Sequence, residues 1–390
     1  MKEMIKYGKK ILKTLNDSGY EAYFVGGFVR DEILNIESND IDIATSAWPS
    51  QVESLFENTA ATGKKYGTIT VFMNDYAYEV TTFRFDKSYK NYRQPESVDF
   101  SKKLEDDLIR RDFTINALAK DIEGQTIDLF NGMEDIKQRQ IKAIDDPNKR
   151  FKEDALRILR AIRFVGKLNF HIEKNTFDAM KKDSHLLSKI PTERIIKELD
   201  LILKQPYKEQ IYHLFNDLHL GDVFSDLDRA IKKLNLTDYP ISLEQFFALG
   251  LYPDKNLSPD EWRFSKSQMS RIETIKELMN ILLKQRITSI HLYNYSKDLM
   301  LAANDLLVKF FDYEDQEDKI INLDRHLKIR SFKDLKITGH DILPLVKDEK
   351  NVGKIIETLI EDVLLGKVEN RKEDLHSFAS RLAEDLNEEN

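Results

Sequence analysis

The 390-residue sequence contains no cysteine, few glycines and prolines, and no long apolar run. The absence of cysteine excludes disulfides, thiolate metal sites and a cysteine nucleophile, and it fits a reducing cytoplasm. A transmembrane helix needs about 18 apolar residues in succession, and no stretch approaches that length. Residues 1–20 have the pattern of an amphipathic basic helix, which differs from a secretory signal. We therefore expect a cytoplasmic protein without a membrane segment.

Composition and charge narrow the possible functions. The length of 390 residues predicts two to four domains, and a hydrophobic content of 41% is sufficient for packed cores. The net charge of −8 argues against a protein that coats nucleic acid by bulk attraction. However, residues 150–200 contain 12 lysines and arginines against 8 aspartates and glutamates. The middle of the chain is therefore the region best suited to face an anion.

Residues 22–44, AYFVGGFVRDEILNIESNDIDIA, combine paired glycines with paired acids. Gly26 and Gly27 lie between a predicted strand and a predicted helix, where the main chain can approach a phosphate closely. A strand would place Asp40 and Asp42 on one face, about 7 Å apart, where they could bind one or two metal ions. Alone, the glycines are typical of a turn and the acids of a solvated face. Together they predict nucleotide chemistry.

A β-hairpin is predicted from GKKYGTITVFM and AYEVTTFRF, with Asn74 and Asp75 in the turn. Glu79 lies on the second strand. It is either a third acid beside the two aspartates or an ordinary surface glutamate, and the sequence leaves both open. Residues 84–97, which are polar and rich in tyrosine, predict a mobile surface loop of a length that is often functional.

Strand and helix patterns mix throughout residues 1–130, which predicts one domain containing both. Near its end, Arg110 and Arg111 follow a short helix with an acidic first turn. From about residue 134 onward, helical patterns dominate. Three polar breaks could separate helical subdomains: residues 204–208, 252–260 and 312–318.

Residues 150–166, RFKEDALRILRAIRFVG, predict one amphipathic helix. At about 100° per residue, one side is apolar, and the other carries an aspartate and three arginines. Those four residues are Asp154, Arg157, Arg160 and Arg163. Arginine suits two-pronged contacts with phosphates or base edges. Asp154 and Arg157, one turn apart, could bind the Watson–Crick edge of a nucleobase. An ordinary helix with a solvated basic face remains the alternative.

Taken together, these segments resemble the class II nucleotidyltransferases of the polymerase-β superfamily, specifically the bacterial CCA-adding tRNA nucleotidyltransferases. The similar segments occur in the family's order within residues 20–170: YFVGGFVRD, DIDIATSAWP, GKKYGTITV, YEVTTFR, RRDFTINALA and RFKEDALRILRAIRF. The C-terminal segment that begins ITGHDILPLV is also similar, whereas residues 200–330 match only in being helical.

The resemblance implies an α+β head, in which helices flank a mixed nucleotidyltransferase sheet, followed by an all-α neck, body and tail. The implied boundaries are residues 1–135 for the catalytic head, 136–200 for the neck with the base-selecting helix, 201–310 for the body and 311–390 for the tRNA-binding tail. The loop at 84–97 matches a flexible loop that the family associates with the switch from C to A addition.

The resemblance also implies a reaction, which is the template-independent addition of C, C and A to the 3′ end of tRNA from CTP and ATP. Mg²⁺ is the implied cofactor, tRNA, ATP and CTP are the implied partners, and a homodimer is possible because such enzymes often form one. The implied roles are catalysis and metal binding for Asp40 and Asp42, triphosphate contact for Gly27, Arg30 and Arg111, base selection for Asp154 and Arg157, and completion of the nucleotide site for Arg160 and Arg163.

Alternative activities within the same family differ in specific segments. Bacterial poly(A) polymerases typically carry an arginine-rich segment in place of GKKYGTITV and often a basic C-terminal extension, whereas this sequence ends in NEEN. Enzymes that add only CC lack the loop retained here, and A-only enzymes are not distinguished by the sequence. A catalytically inactive nucleotide- or RNA-binding module is disfavoured because both aspartates are present.

Overall fold

Two structural units divide the chain in the computed structural model, which describes residues 1–38, 40–86, 98–235, 237–253, 262–284 and 286–388. The first unit consists of Met1–Leu243 and Asp260–Arg263, and the second of Glu244–Pro259 and Phe264–Asn390. Within the described ranges, no helix is both long and apolar enough to cross a membrane.

The first unit is built on a seven-stranded mixed sheet in the order β3-β4-β5-β2-β1-β8-β9. Strands β2 and β5 are parallel, and the other neighbours in this sheet are antiparallel. The strands of the unit are β1 (Ala22–Val25), β2 (Asp42–Thr45), β3 (Thr59–Gly63), β4 (Thr68–Met73), β5 (Tyr76–Thr82), β6 (Arg84–Asp86), β7 (Val98–Phe100), β8 (Leu118–Lys120), β9 (Thr126–Asp128), β10 (Gln140–Ile141) and β11 (His171–Ile172). Two further pairs, β6-β7 and β10-β11, form small sheets of their own.

Helices flank this sheet, and the part of the unit that follows the sheet is mostly helical. They are α1 (Lys2–Asp17), α2 (Gly27–Ile33), α3 (Pro49–Leu55), α4 (Leu104–Ile109), α5 (Gly132–Lys137), α6 (Pro147–Glu153), α7 (Leu156–Leu168), α8 (Lys174–Asp183), α9 (Thr192–Leu203), α10 (Lys208–Asp217), α11 (Leu220–Val223) and α12 (Asp228–Leu234). The expected α+β region followed by a helical region is confirmed.

All regular secondary structure among the described residues of the second unit is helical. Its helices are α13 (Leu243–Leu251), α14 (Lys266–Lys284), α15 (Ser289–Asn294), α16 (Lys297–Phe310), α17 (Glu317–Arg325), α18 (Gly339–Ile342), α19 (Asn351–Leu364) and α20 (Lys372–Glu388). The last three helices share an apolar core that includes Ile342, Leu359 and Leu375, each fully buried.

Alternation along the strands gives the main sheet two chemically different faces. Fully or almost fully buried apolar residues form one row across four strands: Ile69, Val80, Ile43 and Phe24. The adjacent row lies on the opposite face: Thr70, Glu79, Asp42 and Val25. Helix α1 covers the apolar face, since Gly8 lies against the ring of Phe24 and the Tyr78 hydroxyl donates to the Met4 carbonyl (2.7 Å). The polar face is left available for a site.

The predicted hairpin is confirmed, with Asn74 and Asp75 connecting β4 and β5. Asn74 has φ of 56°, a left-handed conformation that asparagine tolerates well. The predicted strand over 40–44 was wrong at its start, because β2 begins at Asp42 and Asp40 lies in the preceding exposed segment. Of the predicted loop at 84–97, residues 84–86 form β6, and residues 87–97 lie outside the described part of the chain.

The predicted single helix over 150–166 was also wrong, because it is divided into α6 and α7. Asp154 ends α6 in an extended conformation, with φ of −146° and ψ of 101°. Its carboxylate accepts a hydrogen bond from the Leu156 amide (3.2 Å) at the start of α7. Aspartate commonly competes with helical hydrogen bonding in this way. The break turns Asp154 out of the regular helical arrangement assumed from the sequence.

Gly132 provides a test of packing beside the sheet. An alanine Cβ at Gly132 would lie 2.3 Å from the Thr114 carbonyl oxygen, a backbone atom that cannot swing aside. We expect Gly132→Ala to lower the free energy of unfolding by about 1–3 kcal/mol, as is typical of overpacking. Gly353→Ala is the control, since nothing lies within 4 Å of its new Cβ and α19 should tolerate or favour alanine. Urea denaturation measures both, and equal stability of the two variants would contradict the prediction.

Candidate functional site

A cleft of about 640 Å³ opens on the polar face of the main sheet. Strand residues on that face, including Asp42, Glu79, Thr68 and Thr81, form one side of it. The other lining residues come from β6, from the segments before and within helices α2, α7 and α9 and from the segment after α4: Arg84, Gly26, Gly27, Arg30, Arg110, Arg111, Asp112, Asn116, Asp154, Leu156, Arg157, Arg160, Arg163, Phe164, Lys167 and Arg194. Nine cationic and four acidic side chains line the cleft, so it suits a polyanion.

The structure brings together eight of the nine residues that the sequence singled out. Those lining the cleft are Gly27, Arg30, Asp42, Arg111, Asp154, Arg157, Arg160 and Arg163. Asp40 is exposed and is not among the lining residues. Its charge nevertheless lies near enough to Asp42 to affect the pKa of that group.

Asp42 lies in a cluster of negative charge. Glu79 is its direct neighbour in the parallel pairing of β2 and β5. Burial raises the pKa of Asp42 to about 6; the Arg111 guanidinium opposes this rise, and the charges of Glu79 and Asp40 add to it. Glu79, the third acid considered from the sequence, therefore lies beside Asp42.

This acidic cluster has the donor set that a hard divalent cation prefers. Mg²⁺ is usually held by one or two carboxylates together with substrate phosphates, so a complete protein cage is not required. In agreement, no group of three or more acidic or histidine side chains among the described residues is close enough to hold a metal ion alone. A divalent cation here would also offset the repulsion from Glu79 and Asp40, which adds to the rise in the pKa of Asp42 caused by burial. The residues present therefore fit a divalent metal.

Gly26 and Arg111 form the wall next to Asp42. Gly26 has φ of 70°, and a Cβ at this position would lie 2.8 Å from Nη1 of Arg111 and 3.8 Å from Oδ2 of Asp42. Only glycine allows the guanidinium to approach the main chain this closely. Asp107, which is fully buried, holds Arg111 through Nη2 (3.0 Å) and also pairs with Arg110 (2.6 Å). Burial acts to raise the pKa of Asp107, but the two guanidinium groups outweigh it and lower that pKa.

Arg30 is buried in a network that ties α2 to α7. Its guanidinium donates to Asp31 (2.7 and 2.8 Å) and to the side-chain oxygen of Asn116. The second oxygen of Asp31 accepts from Lys167 on α7 (2.7 Å). Arg30 also lies 5.1 Å from the centre of the Phe164 ring, within range of a cation–π contact. The residue is therefore fixed before any ligand arrives.

Asp112 completes this network. It accepts hydrogen bonds from Asn116 (3.0 Å) and from Arg160 on α7 (2.7 Å). Burial acts to raise the pKa of Asp112, but Arg160 and Asn116 hold it well below its usual range. The chain of contacts from Arg160 through Asp112, Asn116, Arg30 and Asp31 to Lys167 begins and ends on α7.

Arg157 and Arg163 have acidic partners of their own. Glu153 pairs with Arg157 (2.9 Å), whose guanidinium also donates to the carbonyls of Arg150 (3.0 Å) and Arg110 (3.1 Å). Glu198 on α9 pairs with Arg163 (2.6 Å). Both arginines are therefore oriented by residues that lie outside α7, the helix on which the sequence prediction was based.

Asp154 pairs with Arg194 on α9, a residue that sequence reasoning missed (Nη2 to Oδ2, 2.8 Å). Asp107, Asp112, Asn116, Glu153 and Glu198 were missed as well. The only available signal was chemical, because buried or half-buried arginines require acidic partners. The sequence does not show which of these acids pairs with which arginine, because the partners lie 3 to 48 residues apart in the chain.

Three protein families match successive parts of the chain. A poly(A) polymerase head domain matches residues 22–142, an RNA- and SrmB-binding site of polymerase A matches residues 169–231, and domain 2 of tRNA nucleotidyltransferase matches residues 254–379. The first of these contains the strands of the main sheet and the glycine pair.

Curated relatives match over almost the whole chain. The CCA-adding enzyme of Ligilactobacillus salivarius is 37% identical, with 96% of each chain covered. That of Staphylococcus haemolyticus is 36% identical, with 96% of this chain and 97% of the relative covered.

Among solved structures, Bacillus stearothermophilus CCA-adding enzyme in complex with CTP has a TM-score of 0.87 and 29% identity, with both chains fully covered. Thermotoga maritima CCA-adding enzyme with tRNA has a TM-score of 0.68 at 20% identity, which supports the fold, with 97% and 96% covered.

Proposed function

Because the chain belongs to the family of CCA-adding tRNA nucleotidyltransferases, we propose how its cleft adds C, C and A to the 3′ end of tRNA from CTP and ATP. One observation carries the proposal. A single cleft brings the acidic strand residue Asp42 together with Asp154 and Arg157, more than a hundred residues away, among nine cationic side chains. The acids suit metal-assisted phosphoryl transfer, the cations suit a triphosphate, and the Asp–Arg combination suits a base edge.

Asp42, with Asp40 beside it, would hold Mg²⁺ in this proposal. The chemistry supplied by bound Mg²⁺ is activation of the tRNA 3′-hydroxyl and neutralisation of the pyrophosphate leaving group. Phosphoryl transfer otherwise depends on positioning and charge neutralisation, with little covalent work for the protein. Gly27, Arg30 and Arg111 would hold the triphosphate. Arg111 suits this role because its Nη1 lies against Gly26 at the edge of Asp42.

Base selection is assigned to Asp154 and Arg157, with Arg160 and Arg163 completing the nucleotide site. Cytosine and adenine each present an amino group and a ring nitrogen on the Watson–Crick edge. An aspartate oxygen accepts from the amino group and a guanidinium donates to the nitrogen. Uracil and guanine present a carbonyl oxygen where the amino group would be, which leaves the carboxylate facing another acceptor. A polar pocket rejects such analogues strongly because its buried groups stay unpaired.

The remaining assignments follow the same family. We propose a catalytic head over residues 1–135, a neck over 136–200, a body over 201–310 and a tRNA-binding tail over 311–390. We propose that the protein acts in the cytoplasm on tRNA, ATP and CTP, and a homodimer is compatible with the proposal. RNA would be held mainly through its backbone and shape.

The test uses purified protein, Mg²⁺ and tRNA that lacks its three terminal nucleotides, and products are resolved at single-nucleotide length. CTP alone should add two residues, and CTP with ATP should add three and then stop. ATP alone should add nothing to this tRNA, whereas tRNA ending in CC should accept one A. Long A tails would instead identify a poly(A) polymerase, and extension only of tRNA ending in CC would identify an A-only enzyme. The absence of any extension would favour a binding module.

A further inference from the structure

We propose that Arg194 on α9 is a positioning residue for base selection, and that it acts by holding the Asp154 carboxylate. The inference rests on the proposed function, because it concerns how Asp154 discriminates between nucleotides. Arg194 lines the cleft. The sequence prediction of the base-selecting residues was based on the α7 segment, so it gave no indication of this residue on α9.

The contact between Arg194 and Asp154 is two-pronged. Nη2 of Arg194 lies 2.8 Å from Oδ2 of Asp154, and Nη1 lies 3.3 Å from Oδ1. Paired contacts of this kind fix the plane of the carboxylate as well as its position. The two side chains are 27% and 16% exposed, so solvent screens the pair less than it would at an open surface. A carboxylate oxygen has more than one lone-pair direction, so the contact leaves acceptor capacity for a base amino group.

Arg157 is itself held from other parts of the fold. Its guanidinium contacts Glu153 (2.9 Å) and two main-chain carbonyls, those of Arg150 and Arg110. The acceptor and the donor of the base-selecting pair are therefore held by different parts of the fold. Arg157 is fixed from α6 and the segment after α4, and Asp154 is fixed from α9.

Helix α9 also fixes a second cleft residue. Glu198, one helical turn after Arg194, pairs with Arg163 on α7 (2.6 Å). The two α9 side chains are four residues apart and so lie on the same face of the helix. On that face, Arg194 pairs with the acid Asp154, and Glu198 pairs with the cation Arg163. This complementary arrangement is what a supporting helix requires when it orients a binding site.

The physical consequence concerns specificity more than overall stability. A carboxylate held in a fixed orientation favours the amino groups of cytosine and adenine and disfavours the carbonyl oxygens of uracil and guanine. Without Arg194 the carboxylate can rotate away, so the preferred nucleotides lose an interaction that the rejected ones never had. The efficiency of CTP and ATP use should therefore fall while that of UTP and GTP stays the same or rises.

The experiment measures kcat and KM for CTP, ATP and UTP with Arg194→Ala and Arg194→Lys. We expect Arg194→Ala to lower kcat/KM for CTP and ATP by about 10- to 100-fold, the range typical of losing an outer partner that orients a binding group. UTP should not lose efficiency, so the CTP/UTP ratio falls. Arg194→Lys should give a CTP/UTP ratio between those of Arg194→Ala and the wild type. Lysine keeps the positive charge but lacks the two-pronged geometry of the guanidinium group. Arg263→Ala is the matched control: Arg263 pairs with Glu193, the neighbour of Arg194 on α9, and its side chain is 69% exposed. It should leave the ratio unchanged.

A double-substitution cycle with Asp154→Ala separates this role from a structural one. If Arg194 acts through Asp154, adding Arg194→Ala to Asp154→Ala should change the CTP/UTP ratio no further. Independent, multiplying losses would overturn the proposal, as would an Arg194→Ala variant with the full wild-type ratio or one whose losses for all nucleotides are equal. Failure of the wild-type protein to add C, C and A would instead contradict the proposed function, so the two failures are distinguishable.

Discussion

Asp42→Asn is expected to lower the rate of nucleotide addition by at least about 10³-fold, equivalent to about 4 kcal/mol of transition-state stabilisation. In the proposed mechanism the Asp42 carboxylate would hold the cation that neutralises charge on the reacting phosphate, and such electrostatic stabilisation is typically worth several kcal/mol. Asparagine keeps the shape of the side chain but loses the charge that attracts the cation. The measurement is single-turnover addition of CMP to tRNA at saturating CTP.

The same substitution is expected to stabilise the protein when divalent metal is removed with EDTA. Burial, Glu79 and Asp40 raise the folded-state pKa of Asp42 to about 6, above its ordinary value of 3.8. A carboxyl group with a raised folded pKa destabilises the fold at neutral pH, and this penalty disappears as the pH falls towards 4. Asp42→Asn should therefore gain on the order of 2 kcal/mol at pH 7.5, and the gain should shrink at pH 5.

Asp75→Asn is the control for both measurements, since Asp75 lies in the exposed turn between β4 and β5. It should change neither rate nor stability. Loss of activity together with loss of stability in Asp42→Asn would contradict the prediction that burial and nearby acids make the charged Asp42 destabilising.

Asp112→Ala is expected to destabilise the first unit by about 2–4 kcal/mol. Asp112 is 7% exposed and accepts hydrogen bonds from Arg160, Asn116 and the Phe113 amide. Removing one partner of a buried ion pair typically costs 3–5 kcal/mol, because the other charge remains without compensation. Here the cost is reduced because the Arg160 side chain is 36% exposed and reaches some solvent.

Urea unfolding of wild type and variant at several pH values measures this contribution. Arg160 and Asn116 depress the folded pKa of Asp112, so its stabilisation is present above the unfolded value near 3.8 and is lost as the pH falls further. The difference between wild type and Asp112→Ala should therefore be constant from pH 6 to 8 and shrink in acid. Asp200→Ala is the control, because its pair with Lys204 is exposed and should contribute about 0.5 kcal/mol or less. Equal effects of the two substitutions would contradict the buried network.

Much of the site was predictable because its signals are local in sequence. The paired glycines between a strand and a helix, the acid at the start of β2, and the arginines of α7 each reflect short-range rules of backbone conformation and periodicity. The hairpin turn at Asn74 and Asp75 and the change from mixed to helical structure near residue 134 follow from the same rules. Resemblance to a known family added the activity.

Two local predictions were wrong where another interaction outweighed periodicity. The apolar and basic spacing of residues 150–166 is continuous, yet Asp154 ends α6 because its carboxylate serves the Leu156 amide and Arg194. Strand β2 begins at Asp42, where pairing with Val25 begins, and not at Asp40. Pattern reasoning registers which residues are apolar, but it does not register which hydrogen bonds compete for one polar side chain.

The sequence by itself therefore determined the class of fold, the nucleotide chemistry and eight of the residues that line the cleft. The tertiary structure alone decided how those residues are held. Asp31 with Lys167, Asp112 with Arg160, Glu198 with Arg163 and Asp154 with Arg194 pair across 35 to 136 residues. Any of the chain's many acids could serve any of its arginines as far as composition is concerned. Only the packing of α2, α7 and α9 around the cleft selects the partners, because a buried charge is tolerated only where its counter-charge is already in place.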